Sequence, residues 1–182
     1  MRRARATSRA IIAIALSAAS LAGCGTTAAP PSTVAAPSAA PTRAVTAAVL
    51  QTRGALVTAL GAENLVLTDS QAAVRPAEAP ALAAAPRAVY QVILPKDPSK
   101  GFVLVYDFVD PAHAAGAAAE QQAYLATGPG RVQTPQGTVS VIRQVGSTVV
   151  YYQWLPAAAQ DPSAVGIEDA LDGLGVGFPV SN

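Results

Sequence analysis

Between Val45 and Asn182 the large apolar residues recur with two different periods, and the change from one to the other divides the chain into helices and strands. Val45, Val49, Leu50, Leu56, Val57 and Leu60 recur at helical spacing, with Gly61 as the stop signal. Leu65 to Thr68 reads as a short strand, and Gln71 to Pro86, rich in Ala and Pro, as a long connection without a period. Ala88 to Leu94 and Phe102 to Val109 are β-rich runs on either side of a turn-forming segment, Pro95 to Gly101, which predicts an antiparallel pair. Asp110-Pro111 predicts a helix start, because the Asp side chain accepts from an orphan amide and Pro at the first helical position loses no needed donor. That helix runs to about Ala126 and breaks at Gly128-Pro129-Gly130. Thr138 to Val145 and Thr148 to Trp154 flank Gly146-Ser147, the composition of a two-residue hairpin loop. Asp161-Pro162 repeats the capping arrangement, Ala164, Ile167, Leu171 and Leu174 line the last helix, and Gly173 or Gly175 closes it. Val176 to Val180 reads as a final strand that Pro179 confines to an edge.

Pairing Val145 with Thr148 across that loop puts Val139, Val141, Arg143, Val145, Val150, Tyr152 and Trp154 on one face, and Ser140, Ile142, Gln144, Val149, Tyr151 and Gln153 on the other. The first face carries the larger apolar payload and is expected to meet the helices, with the Arg143 head extending to water. The second is expected to stay open, which makes Ile142, Val149 and Tyr151 a candidate binding patch. The fold class is α+β: a small antiparallel or mixed sheet with helices packed on one face, whose element order resembles ferredoxin-like sandwiches.

The first residues follow a different logic. Arg2, Arg3, Arg5 and Arg9 precede an apolar run, Ala10 to Ala19, too short for a mature membrane span, and Leu21-Ala22-Gly23-Cys24 places the only cysteine directly after small residues. This segment resembles the lipobox signal peptide of bacterial lipoproteins. The resemblance implies diacylglycerol on the Cys24 thiol, cleavage between Gly23 and Cys24, and an extracytoplasmic protein held on the cell membrane, or on the outer membrane if the envelope has one. Residues 1–23 are then the signal peptide, 24–44 the lipidated Cys and an Ala/Pro/Ser/Thr tether, and 45–182 a single globular domain. At about 3.1 Å per residue, an extended Gly25 to Ala44 reaches up to about 60 Å.

Charge narrows the partners. Losing the four leader arginines takes the formal charge from +1 to −3, and the remaining Lys and Arg are scattered singly, which argues against nucleic acid. With Cys24 acylated no thiol remains for a disulfide or a metal.

The residues able to carry chemistry are few. His113, the only histidine, falls in the first turn of the Asp110-Pro111 helix and reads as a surface residue. Asp107 interrupts an apolar run, but Phe102, Leu104, Tyr106 and Phe108 alternate against it, so it is expected to face solvent. Glu168, Asp169 and Asp172 read as the solvated face of a helix, and Gly173-Leu174-Gly175-Val176-Gly177 follows a helix where a phosphate loop would open one. No catalytic residue, metal or cofactor is assigned. The expected function is a non-catalytic binding or accessory module contacting an envelope protein or polymer through the open sheet face. The alternative is a small-ligand carrier or sensor with a pocket near Tyr106, Tyr152 and Trp154, and a hydrolase using Asp107, Asp110 or His113 stands third.

Overall fold

A computed structural model describes residues 45–181; the lipobox, with Gly23 and Cys24, and the tether to Ala44 lie outside them. The described residues build one six-stranded sheet from β1 (Leu67–Asp69), β2 (Arg87–Val92), β3 (Phe102–Asp107), β4 (Val139–Val145), β5 (Thr148–Trp154) and β6 (Val176–Gly177). The order across it is β1-β2-β3-β5-β4-β6, and every neighbouring pair is antiparallel. The α+β class holds, with β3 and β4 on either side of β5 as in a split βαβ unit.

The Gly146-Ser147 hairpin closes in the register read from the sequence, Val145 opposite Thr148, and the two faces divide as expected. What covers them is different. On one face α1 (Ala47–Ala62) and α5 (Ala164–Asp172) bury Val103, Val105, Val141, Val150 and Tyr152. On the other, α2 (Pro80–Ala84) and α3 (Pro111–Ala126) bury Leu104, Tyr106, Ile142, Val149 and Tyr151. Helices therefore pack on both faces, and Ile142, Val149 and Tyr151 are buried residues of a second core, at 1%, 0% and 0% exposure, rather than an open patch. The reason is the alanine content of α3. Ala114, Ala117 and Ala118 present a smooth surface that approaches the sheet closely, so a helix without a strong apolar stripe still buries a full sheet face.

Local chemistry sets the helix ends. Thr46 accepts from the Val49 amide at the start of α1, and the left-handed residue after it is Asn64 (φ 59°) rather than Gly61. Its buried side is Val49, Thr52, Leu56 and Leu60; Val45, Leu50 and Val57 are exposed, a narrower stripe than the sequence suggests. The buried Thr52 hydroxyl is satisfied by that of Thr148 at 2.8 Å. Asp110 caps α3 as read, accepting from the His113 amide at 2.9 Å. Gly128-Pro129-Gly130 does break that helix, but the chain starts another at once, α4 (Gly128–Gln133). The region expected to be an aperiodic connection contains α2, with Pro80 in its first turn and Leu82 fully buried.

The end of the chain departs most from its reading. The Arg143 head does not simply extend to water: Nε donates to the Leu174 carbonyl at 2.7 Å and Nη2 to that of Asp172, taking up the free carbonyls where α5 ends. The glycine-rich segment serves the return to the sheet. At Gly175 (φ 44°) a Cβ would fall 1.9 Å from the Gln144 carbonyl oxygen, so only glycine lets β6 approach β4. The final strand shrinks to Val176–Gly177, ahead of Pro179.

Ile142→Ala is expected to lower unfolding free energy by about 2–5 kcal/mol, as for a core truncation. An exposed patch residue would change it by less than about 0.5 kcal/mol. Urea denaturation followed by circular dichroism separates the two.

Candidate functional site

The residues singled out for chemistry do not converge. His113 has a side chain 66% exposed, with Nδ1 at 2.9 Å from both Asp110 oxygens. The His113 backbone amide, with its ring, holds the Asp110 carboxyl below the usual carboxylate range, the opposite of what a general acid needs. Asp107 is half-buried and lines a small surface recess with Thr46, Val49 and Arg87 beside the start of α1. Of the acidic residues on α5, Glu168 accepts from Trp154 Nε1 at 3.0 Å and Asp172 lies 3.8 Å from Arg143, while Asp169 is exposed. Among the described residues no group of three or more His, Cys, Asp or Glu is placed to hold a metal.

A different site comes from the strand pairing. β3 and β5 cease to pair beyond Val103–Tyr152, yet each continues on its other side, β3 with β2 to Phe102–Gln91 and β5 with β4 to Trp154–Val139. The sheet forks, and the fork opens into a cleft of about 490 Å³. Leu94, Phe102, Leu104, Tyr152, Trp154 and Leu155 give it an apolar lining, and Arg75, Asp97, Ser99 and Lys100 contribute polar groups. Gly101 (φ 80°) lies at the fork, where a Cβ would meet the Val92 carbonyl oxygen at 2.5 Å. Of the three aromatics from which a pocket was expected, Tyr152 and Trp154 line this cleft and Tyr106 does not.

Two buried carboxylates hold the irregular segments around it. Glu78, with a side chain only 5% exposed, accepts from the Tyr106 hydroxyl at 2.6 Å and Arg87 Nη1 at 2.7 Å on one oxygen, and from Arg75 Nη1 at 3.2 Å on the other. Burial, reinforced by donation to Glu78, pushes the Tyr106 hydroxyl far above its ordinary pKa, so it remains a donor. Gln121, fully buried on α3, accepts from the Ala79 amide at 2.6 Å and donates to the Ala77 carbonyl at 2.7 Å. Together these contacts fix the segment that carries Val74, Arg75 and Pro76 into the lining.

Asp161 does the same for the other segments. It was expected to cap the last helix by itself, but Ser163 holds the capping position, and the Asp161 carboxylate accepts from the Lys96 amide and the Ser163 amide, both at 2.9 Å. It thus ties the β2–β3 loop, source of Asp97, Ser99 and Lys100, to the segment between β5 and α5, source of Leu155, Ala158 and Ala159. The Lys96 amide, then that of Ser163, holds its pKa below the usual carboxylate range.

Neither carboxylate's distant partner is visible by local inspection, but one signal for Glu78 exists: between Ser70 and Pro95 the only charged residues are Arg75, Glu78 and Arg87, and the fold joins all three. No family model, curated protein or solved structure matches this chain.

Glu78→Ala leaves Arg87 and the Tyr106 hydroxyl without their buried acceptor, and a loss of about 3–5 kcal/mol is expected in denaturant unfolding. Hydrogen exchange should then rise first in residues 71–79. Asp161 gives a pH test. Its folded pKa is depressed, so its contribution is present above the unfolded value of about 3.9 and is lost as pH falls through the lower folded value. Asp161→Asn is therefore expected to flatten the acid limb of the stability–pH curve below about pH 4, measured by thermal unfolding from pH 7 to 2.

Proposed function

We propose that this chain is an extracytoplasmic lipoprotein, anchored to the cell membrane through acylated Cys24, whose folded part is a non-catalytic module that binds a small molecule in the cleft at the sheet fork. The cleft is the observation that carries this reading. Its volume of about 490 Å³ falls within the usual range for small-molecule sites, it combines an apolar lining with a few polar groups, and its bordering segments are fixed by Glu78 and Asp161. The rival reading, an accessory module docking through an open sheet face, loses its surface because α2 and α3 cover that face. The anchor rests on the lipobox of the sequence. Acylation at one cysteine adds about 0.8 kcal/mol of membrane affinity per buried methylene, and two or more chains make the attachment durable.

Two measurements test the two halves. Mass spectrometry of the protein from its native host is expected to find the chain beginning at a diacylglyceryl-modified Cys24, and Cys24→Ser to move it out of the membrane fraction; an unmodified thiol with an intact leader would remove the anchor. For the cleft, the neutral probe N-phenyl-1-naphthylamine added to the full chain bearing Cys24→Ser is expected to bind saturably at one site, with energy transfer from Trp154, the sole tryptophan. Ala159→Phe, which adds bulk to the lining from an exposed position, should weaken it at least tenfold. Absent or unaltered binding overturns the ligand reading.

A further inference from the structure

The cleft has a sign as well as a shape. Its charged lining is Arg75, Lys100 and Asp97. Asp97 is only 7% exposed, and its carboxylate accepts from the Ser99 hydroxyl at 3.1 Å while its backbone closes the β2–β3 turn. Lys100 is exposed, and its ammonium makes no hydrogen bond or ion pair with any described residue. Arg75 spends one nitrogen on Glu78, yet its side chain is 64% exposed, so the rest of the guanidinium fork faces water. Glu78, the anion that balances Arg75, is already shared with Arg87 and Tyr106. The accessible charge at the cleft is therefore cationic, on a domain whose overall charge runs the other way.

We propose, resting on the cleft being a ligand site, that its ligand is an amphiphile with one anionic head: an apolar chain or ring system lying among Phe102, Leu104, Tyr152 and Trp154, with a carboxylate or phosphate paired to Lys100 and Arg75. At about 30 Å³ per water-sized group, about 490 Å³ holds on the order of fifteen non-hydrogen atoms, the size of a medium-chain fatty acid. The apolar body supplies affinity in proportion to the area it buries, and the two cations set its direction in the cleft. Arg75 is suited to a planar carboxylate or a phosphate because its donors are fixed in a fork, whereas Lys100 acts as a movable point charge.

Displacement of N-phenyl-1-naphthylamine from the full Cys24→Ser chain tests this, with dodecanoate, dodecyl phosphate and dodecyltrimethylammonium compared below their micellar concentrations. Either anion is expected to displace the probe at least tenfold more effectively than the cation, and the better of the two identifies the head. Lys100→Glu is expected to lower the ratio of anion to cation displacement at least tenfold, with saturable probe binding reporting that the cleft still stands; Arg75→Gln should lower the ratio less. Equal displacement by anion and cation, or a ratio indifferent to Lys100→Glu, overturns the anionic assignment while leaving the cleft a ligand site. Failure of the probe itself to bind overturns both.

Discussion

The structure depends on the β3–β5 pair being buried on both faces at once. Val103, Val105, Val150 and Tyr152 point one way and Leu104, Tyr106, Val149 and Tyr151 the other, and all eight are at most 2% exposed. Each such side chain contributes about 1.5–3 kcal/mol on burial, and pleating distributes that gain to two layers instead of one. Neither layer can be stripped without exposing half of the central strands. The helices follow from this: α1 and α5 are required on one side, α2 and α3 on the other. A sheet covered on both faces leaves only its edges and strand ends uncovered, and the fork lies at a strand end.

The placement of charge has the same origin. Segments that leave a doubly covered sheet must pass over apolar surface with their backbone groups satisfied, and in three places a side chain supplies the bonds. Gln121 meets the Ala79 amide and the Ala77 carbonyl beside Glu78, Asp161 accepts from two amides in different segments, and Arg143 takes the carbonyls at the end of α5. A buried carboxylate is tolerated only when its oxygens are met in this way. Such residues act as anchor points for irregular chain, which explains how a cleft with borders from four stretches of loop keeps a defined form.

Much of the fold was legible because β structure declares itself locally. The Gly146-Ser147 hairpin, its register and the division of its residues between two faces needed only the period of two and a turn signal. The covering of the second face was not legible, since alanine is nearly silent in a hydrophobic pattern and α3 packs through Ala114, Ala117 and Ala118. Leu50 and Val57 misled in the opposite sense, large apolar residues that the fold leaves outside. Asp161 shows where local reading ends: its role toward Ser163, two residues away, follows from sequence, whereas the Lys96 amide 65 residues away is fixed only by the sheet order. The cleft is wholly of this second kind, because it exists between strands and loops that meet only after folding.

The proposed anchor and the proposed ligand bear on each other. An amphiphile with a dozen or so carbons partitions to the bilayer surface, which is where the proposed acylation of Cys24 would confine the domain. Confinement of both partners to the same thin layer raises their effective concentration, so a cleft of modest affinity is occupied without the contacts that tight binding from bulk water requires. The net negative charge of residues 45–182 fits this arrangement. It gives the domain no general attraction to anionic lipid, so under the proposal the cations in the cleft lining, Arg75 and Lys100, rather than the surface as a whole, would select which amphiphile is held.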